Sequence, residues 1–304
     1  MAADPSAAAG IVEPASLIVR RSLSQRLAGP IISLAVLAMA VYQIGEVDPA
    51  RIWRLMPAGP AFWLLFMATY LAPVAADWLI FRRLWRIPAS GVVPLLRKYV
   101  GNEILLGYIG EVYFYAWARR RSAMVAAPFG AIKDVAVTSA LAGNGVTLVM
   151  LALAAPFYDL IGIGANGRLV MLSIGVILAT SLAAFVVRKR LFALDHADIM
   201  FVSAVHVARI LIVLGLSAAM WHIALPVVAL PWWLLLATVR MLLSRLPLVP
   251  NKDVVFAGLA VFLVGHDGEI SALMALMGSL MLTVHILLGI AASAVDLLGG
   301  EGRR

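Results

Sequence analysis

Apolar residues run along this chain in long blocks, separated by short clusters of arginine and lysine. A helix rises about 1.5 Å per residue and the hydrocarbon layer of a bilayer is about 30 Å thick, so about twenty apolar residues cross it. Six blocks approach or exceed that length: Ala28–Gly45, Pro60–Phe81, Pro128–Pro156, Arg168–Val187, Ser203–Trp221 and Ile270–Leu298. Each predicts a transmembrane helix. Two further stretches, Val92–Trp117 and Val228–Gly265, are apolar but interrupted. The first carries Gly101, Gly107, Gly110, Glu103 and Glu111, and the second contains SRLPLVPNKD.

The basic clusters order these blocks, because lysine and arginine collect on the cytoplasmic side. Arg20, Arg21 and Arg26 precede the first block, and Arg82, Arg83 and Arg86 follow the second. Both are therefore cytoplasmic, and the mixed loop from Glu46 to Ala58 lies outside. Val92–Trp117 then begins after one basic cluster and ends at another, Arg119, Arg120 and Arg121. A segment with two cytoplasmic ends enters and leaves on one side, with glycines where the backbone turns. Irregular backbone at membrane depth needs protein or a watery cavity around it. Arg188, Lys189 and Arg190 are again inside, and so is the closing GGEGRR. For that ending, Val228–Gly265 is either a second re-entrant segment, from the outer face, or two thin full spans, Val228–Ser244 and Asp253–Gly265.

The expected fold is thus an all-α polytopic membrane protein with about six full spans and two re-entrant helical hairpins. Each half reads span, span, hairpin, span, with an odd number of crossings. The second half is then inverted relative to the first, an inverted-topology repeat of the kind found in transporters. The expected division is a disordered cytoplasmic tail over residues 1–26 and one membrane domain over 27–298. Its first repeat covers 27–157 and its second 168–298. A short echo accompanies the topology: GYIGEVYF in the first hairpin and PLVPNKDVVF in the second place Glu111 and Asp253 alike. RRSLSQRLAG with the following apolar run has the form of a twin-arginine signal, but the run continues into the first span and is expected to be retained.

Composition sharpens this picture in four ways. The chain is 63% hydrophobic over 304 residues, far from a soluble domain. It has no cysteine, which removes disulfides, thiolate metal sites and cysteine nucleophiles. Its five histidines form no close-spaced pair, so no metal and no cofactor is expected. The net charge of +8 suits a border of anionic lipid heads, and arginines dispersed between apolar spans do not suit nucleic acid.

At the hairpins the chain resembles the membrane domain of lysylphosphatidylglycerol synthases and its stand-alone relatives, in which an early N…P…GE..R segment is followed by a later P..PGG.G..E segment. Asn102, Gly110 and Glu111 match the first, and Pro247 and Pro250 the second. Gly107 replaces the early proline and Phe114 the arginine. Asn251 and Lys252 replace the double glycine, and Ala257 the late glutamate. The resemblance implies a flippase-like lipid translocator in the cell inner membrane, with both termini cytoplasmic. No counterpart of the cytoplasmic aminoacyl-transferring domain of those synthases is expected within these 304 residues, so lipid synthesis is not implied.

Charges inside a membrane cost about 2.5–3.5 kcal/mol each on insertion scales and usually face a cavity. Glu103 and Glu111 are eight residues apart, which on one continuous helix sets both beside a common groove at Gly107. With Asp253 and Asp134 they are the candidates for proton coupling or gating. Arg240, Arg245 and Lys252, with Asn102 and Arg209, are the candidates for binding an anionic lipid or polyprenyl-phosphate head, arginine supplying a fork of donors. Glu111 has a structural alternative as partner of Arg97, Lys98 or the Arg119–Arg121 run. Asp77 reads as an end-of-helix residue, and Lys133 and Asp134 as a pair. The aromatic run Tyr113, Phe114, Tyr115 and Trp117 reads as an interfacial belt. Two other function classes fit the composition: an embedded enzyme using Glu111, Asp134 or Asp253 as base, and a scaffold that transports nothing.

Overall fold

A computed structural model describes residues 56–104, 109–119, 128–154, 174–175, 179, 192–244, 252–253, 255–257, 260 and 268–299. Most of these residues are helical and none is in a strand. Among them, four helices are long and apolar enough to cross a membrane. The spans expected at Ala28–Gly45 and over most of Arg168–Val187, and the site residue Arg245, lie outside the described residues.

Helix α1, Pro60–Trp85, opens with proline in its first turn, where the missing N–H costs nothing. Pro73 sits inside it, as membrane helices tolerate. It closes at Arg86, whose left-handed backbone (φ 53°) returns its N–H to the Arg82 carbonyl at 2.9 Å. The helix therefore runs a turn past Phe81, where the apolar block stops. A short 3-10 turn, Ala89–Gly91, leads into α2, Val92–Ile104, and α3 follows at Ile109–Arg119. Over the described residues α2 and α3 have 13 and 11 residues and extend about 20 and 17 Å. They pack against each other.

Helix α4 is Pro128–Ala154, close to the expected span. Helix α5, His196–Ala224, begins seven residues before the expected Ser203. The reason is a cap: the Asp195 side chain accepts from the Asp198 N–H at 2.7 Å, so the helix starts in polar sequence. Asp198 in turn binds Arg83 at 2.9 Å and joins the adjacent ends of α5 and α1. Helix α6, Leu230–Ser244, has only 15 residues, and α7, Gly268–Gly299, has 32.

The most extensive packing is α1 against α5, followed by α4 against α5. Helix α7 is the inner one, 61% of its most apolar stretch being buried against 17% for α5. Outward-facing Leu64, Met67 and Leu71 on α1 and Leu211 and Ile212 on α5 are exposed apolar surface suited to lipid. Two cores result. One gathers Phe62, Phe66, Trp221, Trp233 and Leu273, and the other Ile80, Phe81, Leu95, Phe114 and Val202.

Candidate functional site

The short helices carry the buried charge. On α2, Lys98 points toward α1 and α3 and is nearly buried. Its ammonium donates to Asp77 at 2.6 Å and lies 3.4 Å from Glu111. Asp77 is thus an interior partner two turns before the end of α1 and does not belong to the helix terminus. Glu111 has a partner among those its structural reading offered, Lys98. The second carboxylate oxygen of Glu111, Oε2, is buried with no hydrogen-bond partner among the described residues. Arg209 on α5 donates to Ser139 at 3.1 Å and stands in electrostatic reach of Asp77 and Lys98.

The hairpin that holds Lys98 and Glu111 together depends on two small positions. Asn102 accepts the Gly110 N–H at 2.7 Å, so its amide is used inside the hairpin. A Cβ at Gly110 stands 1.9 Å from the Lys98 carbonyl oxygen, so no other residue fits. Helix α2 stops at Ile104 and α3 starts at Ile109, and the two carboxylates of this stretch diverge. The common groove expected from one continuous helix does not form. Glu111 meets Lys98, whereas Glu103 is in reach of Asp253, Lys252, Arg240 and Arg209.

A second centre lies around α6. Arg240 donates from Nε to Asp253 at 2.6 Å, and its Nη2 engages the same oxygen. Lys252 donates to the Ser244 carbonyl at 3.1 Å. Beside this pair, Tyr70 of α1 bonds the Nδ1 of His285 of α7 at 2.8 Å. Tyr99 of α2 closes a three-ring cluster, 5.5 Å from Tyr70 and 5.4 Å from His285. Sequence reasoning passes over these three residues. Tyr70 and His285 are 215 positions apart, and nothing local marks either as polar core.

The two centres are built alike. Lys98 and Glu111 are 13 residues apart, and so are Arg240 and Asp253. Contacts also recur across eight residues, though through different atoms: the Gly110 N–H donates to the Asn102 side chain, and the Lys252 ammonium to the Ser244 backbone carbonyl. A shift of 142 residues carries 98 to 240, 102 to 244, 110 to 252 and 111 to 253. It also carries Phe114 to Phe256 and Ala118 to Ala260, all four buried.

Other candidates lie elsewhere. Asp134 is fully buried on α4 and accepts the backbone N–H groups of Ala193 and Leu194, with Lys133 3.4 Å away. It anchors the approach to α5. In the aromatic run, Phe114 is buried between Phe81 at 4.7 Å and Trp117 at 5.3 Å, and Tyr113 accepts from Arg97 at 3.1 Å. Those two are packing and hydrogen-bonding residues, not a belt. Phe114 and Ala257, at the two charged positions of the resembled motifs, are both buried among apolar residues. No group of three metal-binding side chains occurs among the described residues. No family model, no curated protein and no solved structure matches the chain.

Proposed function

We propose that this chain is a membrane-embedded, flippase-like translocator of an anionic lipid or polyprenyl phosphate. The observation that carries the reading is the pair of like-built charged centres, each a cation on one short helix facing a carboxylate 13 residues on. Buried charges are expensive in a membrane, and two such centres are hard to account for by packing alone. Short helices paired at depth and repeated along the chain fit two re-entrant hairpins in inverted repeats, whose substrate meets them near the midplane.

In this reading the lipid head enters the polar region between the hairpins while its tails stay in the bilayer. Arg240 and Lys252 attract the phosphate, and the headgroup competes with Asp253 for the Arg240 fork. Glu103 approaches this centre from α2 and links its charge to the first hairpin. Glu111 and Asp77 hold Lys98 between them in the first hairpin. The lysylphosphatidylglycerol-synthase resemblance supports the same class through Asn102, Gly110, Glu111, Pro247 and Pro250 alone, since no family model matches. The reading places both termini on the cytoplasmic side of an inner membrane.

The test is reconstitution in vesicles with NBD-labelled phosphatidylglycerol. The protein should accelerate exposure of inner-leaflet label to dithionite well above protein-free vesicles. Label that stays protected would overturn translocation. Chemical conversion of the lipid would mark an embedded enzyme instead, and neither movement nor conversion a scaffold.

A further inference from the structure

The likeness of the two centres makes a difference between them visible. Helices α1 and α5 face their hairpins in the same manner. Phe81 packs on Phe114 with ring centroids 4.7 Å apart, and Trp221 stacks on Phe256 at 5.9 Å. One turn before each of these rings stand Asp77 and Ser217. Asp77 reaches Lys98 at 2.6 Å. Ser217 is 3% exposed and lines one cavity with Arg240 and Asp253. So Lys98 has two carboxylates in direct contact, Asp77 and Glu111, whereas Arg240 has one in direct contact, Asp253, with Glu103 in electrostatic reach, one short hydroxyl and a cavity.

We propose that the cavity between Ser217 and Arg240 is an oxyanion subsite, receiving a phosphate or carboxylate group where the first centre uses the built-in carboxylate of Asp77. The inference rests on the translocation reading and names the seat of the head group. Four observations converge on it. Lys98 shows that a cation in this setting accommodates two carboxylates, at 2.6 and 3.4 Å. Arg240 turns Nε and Nη2 to a single oxygen of Asp253, and a guanidinium has five N–H donors to distribute. The Ser217 hydroxyl adds a donor that an aspartate at that place lacks. The remaining wall is apolar and adaptable, with Trp221, Phe256 and four methionines, Met277 among them.

That wall decides what the oxyanion is attached to. Methionine is unbranched and changes rotamer readily, so it follows the shape of an alkyl chain. The cavity itself has room for about one water, so a head group enters with a methionine displaced. A cation is excluded by Arg240. An amphiphile with a small anionic head satisfies both halves of the lining, whereas free phosphate satisfies the polar half only. Glu103 and Lys252 also stand at this centre, with opposite formal charges.

The test is calorimetric binding to the purified full chain in nanodiscs, with monododecyl phosphate and inorganic phosphate as probes and dodecyl maltoside as the neutral reference. Monododecyl phosphate should bind and the maltoside should not. Ser217→Asp supplies in the second centre the carboxylate that Asp77 supplies in the first, and should weaken binding at least tenfold. Arg240→Lys should weaken it as well. Met277→Phe fills the cavity without new charge and serves the same purpose should Ser217→Asp fail to fold, as judged by thermal unfolding. Tighter binding of monododecyl phosphate than of inorganic phosphate assigns the oxyanion to a lipid, and equal binding assigns it to a free anion. Wild-type affinity in the folded variants, or no binding of either phosphate by the wild type, overturns the subsite. The same proteins go into the vesicle assay. Binding that Ser217→Asp abolishes, without lipid movement by the wild type, sinks translocation and leaves the subsite standing. Lipid movement with unaltered binding in Ser217→Asp does the reverse.

Discussion

Lys98 is the residue on which the first centre turns, because it is nearly buried and holds two carboxylates at unequal distance. Removing one partner of a buried pair typically costs about 3–5 kcal/mol, but a cation that keeps another partner loses less. Asp77→Asn breaks the 2.6 Å contact and should destabilise by about 3 kcal/mol. Glu111→Gln breaks the 3.4 Å contact while Asp77 stays in place, and should cost about 1 kcal/mol. Thermal unfolding in detergent orders the two. Glu111→Gln should also slow lipid movement in the vesicle assay, because it removes the α3 partner of Lys98. A folded Glu111→Gln protein that moves lipid at the wild-type rate reduces Glu111 to a strut between α3 and α2.

The hairpin of α2 and α3 is an element whose closeness depends on glycine at one place more than another. Gly110 lies under the Lys98 carbonyl, 1.9 Å from where a Cβ would be, and that neighbour is backbone that cannot swing away. At Gly101 the nearest atom to an added Cβ is 3.6 Å off, an ordinary contact. Gly110→Ala should therefore part the helices and cost about 3 kcal/mol or more. Gly101→Ala should be neutral or slightly stabilising, since alanine is the better helix former. Separation of Lys98 from Glu111 and loss of the Asn102 bond should accompany the first change only. Equal melting temperatures for the two variants would show that the hairpin is looser than this packing.

Topology belongs to the whole molecule, and the lack of native cysteine makes it measurable with single introduced ones. The Arg83–Asp198 pair sets the end of α1 beside the start of α5. Cysteines at Ala89 and Ala197 should thus react with an impermeant maleimide from the same face, the cytoplasmic one. Val227, highly exposed just past the other end of α5, should react from the opposite face. A cysteine at Ser122, after the first hairpin, should label with Ala89 if that hairpin is re-entrant. Labelling of Ser122 with Val227 instead would make Val92–Arg119 a crossing and remove the inverted repeat.

Hydropathy alone determined that the chain forms helices long and apolar enough to cross a membrane, and it located Pro60–Phe81, Ser203–Trp221 and Ile270–Leu298 within described helices and Pro128–Pro156 over one described as Pro128–Ala154. Burial in lipid and burial in protein both demand apolar side chains, so runs of them are legible without a fold. The echo between GEVYF and KDVVF was legible too, because it lies in local order along the chain. Helix ends were not. Asp195 and Arg86 terminate helices through hydrogen bonds and backbone geometry that an apolar count passes over. The pairing of charges was decided only by the tertiary structure. Glu103 and Glu111 are neighbours on a helical wheel, yet α2 and α3 pack against each other and send them to different cations. Asp77 and Lys98, Arg240 and Asp253, Tyr70 and His285 meet across helices. Sequence spacing sets which face of one helix a side chain occupies, whereas contact between helices depends on their relative placement, which the whole core determines at once.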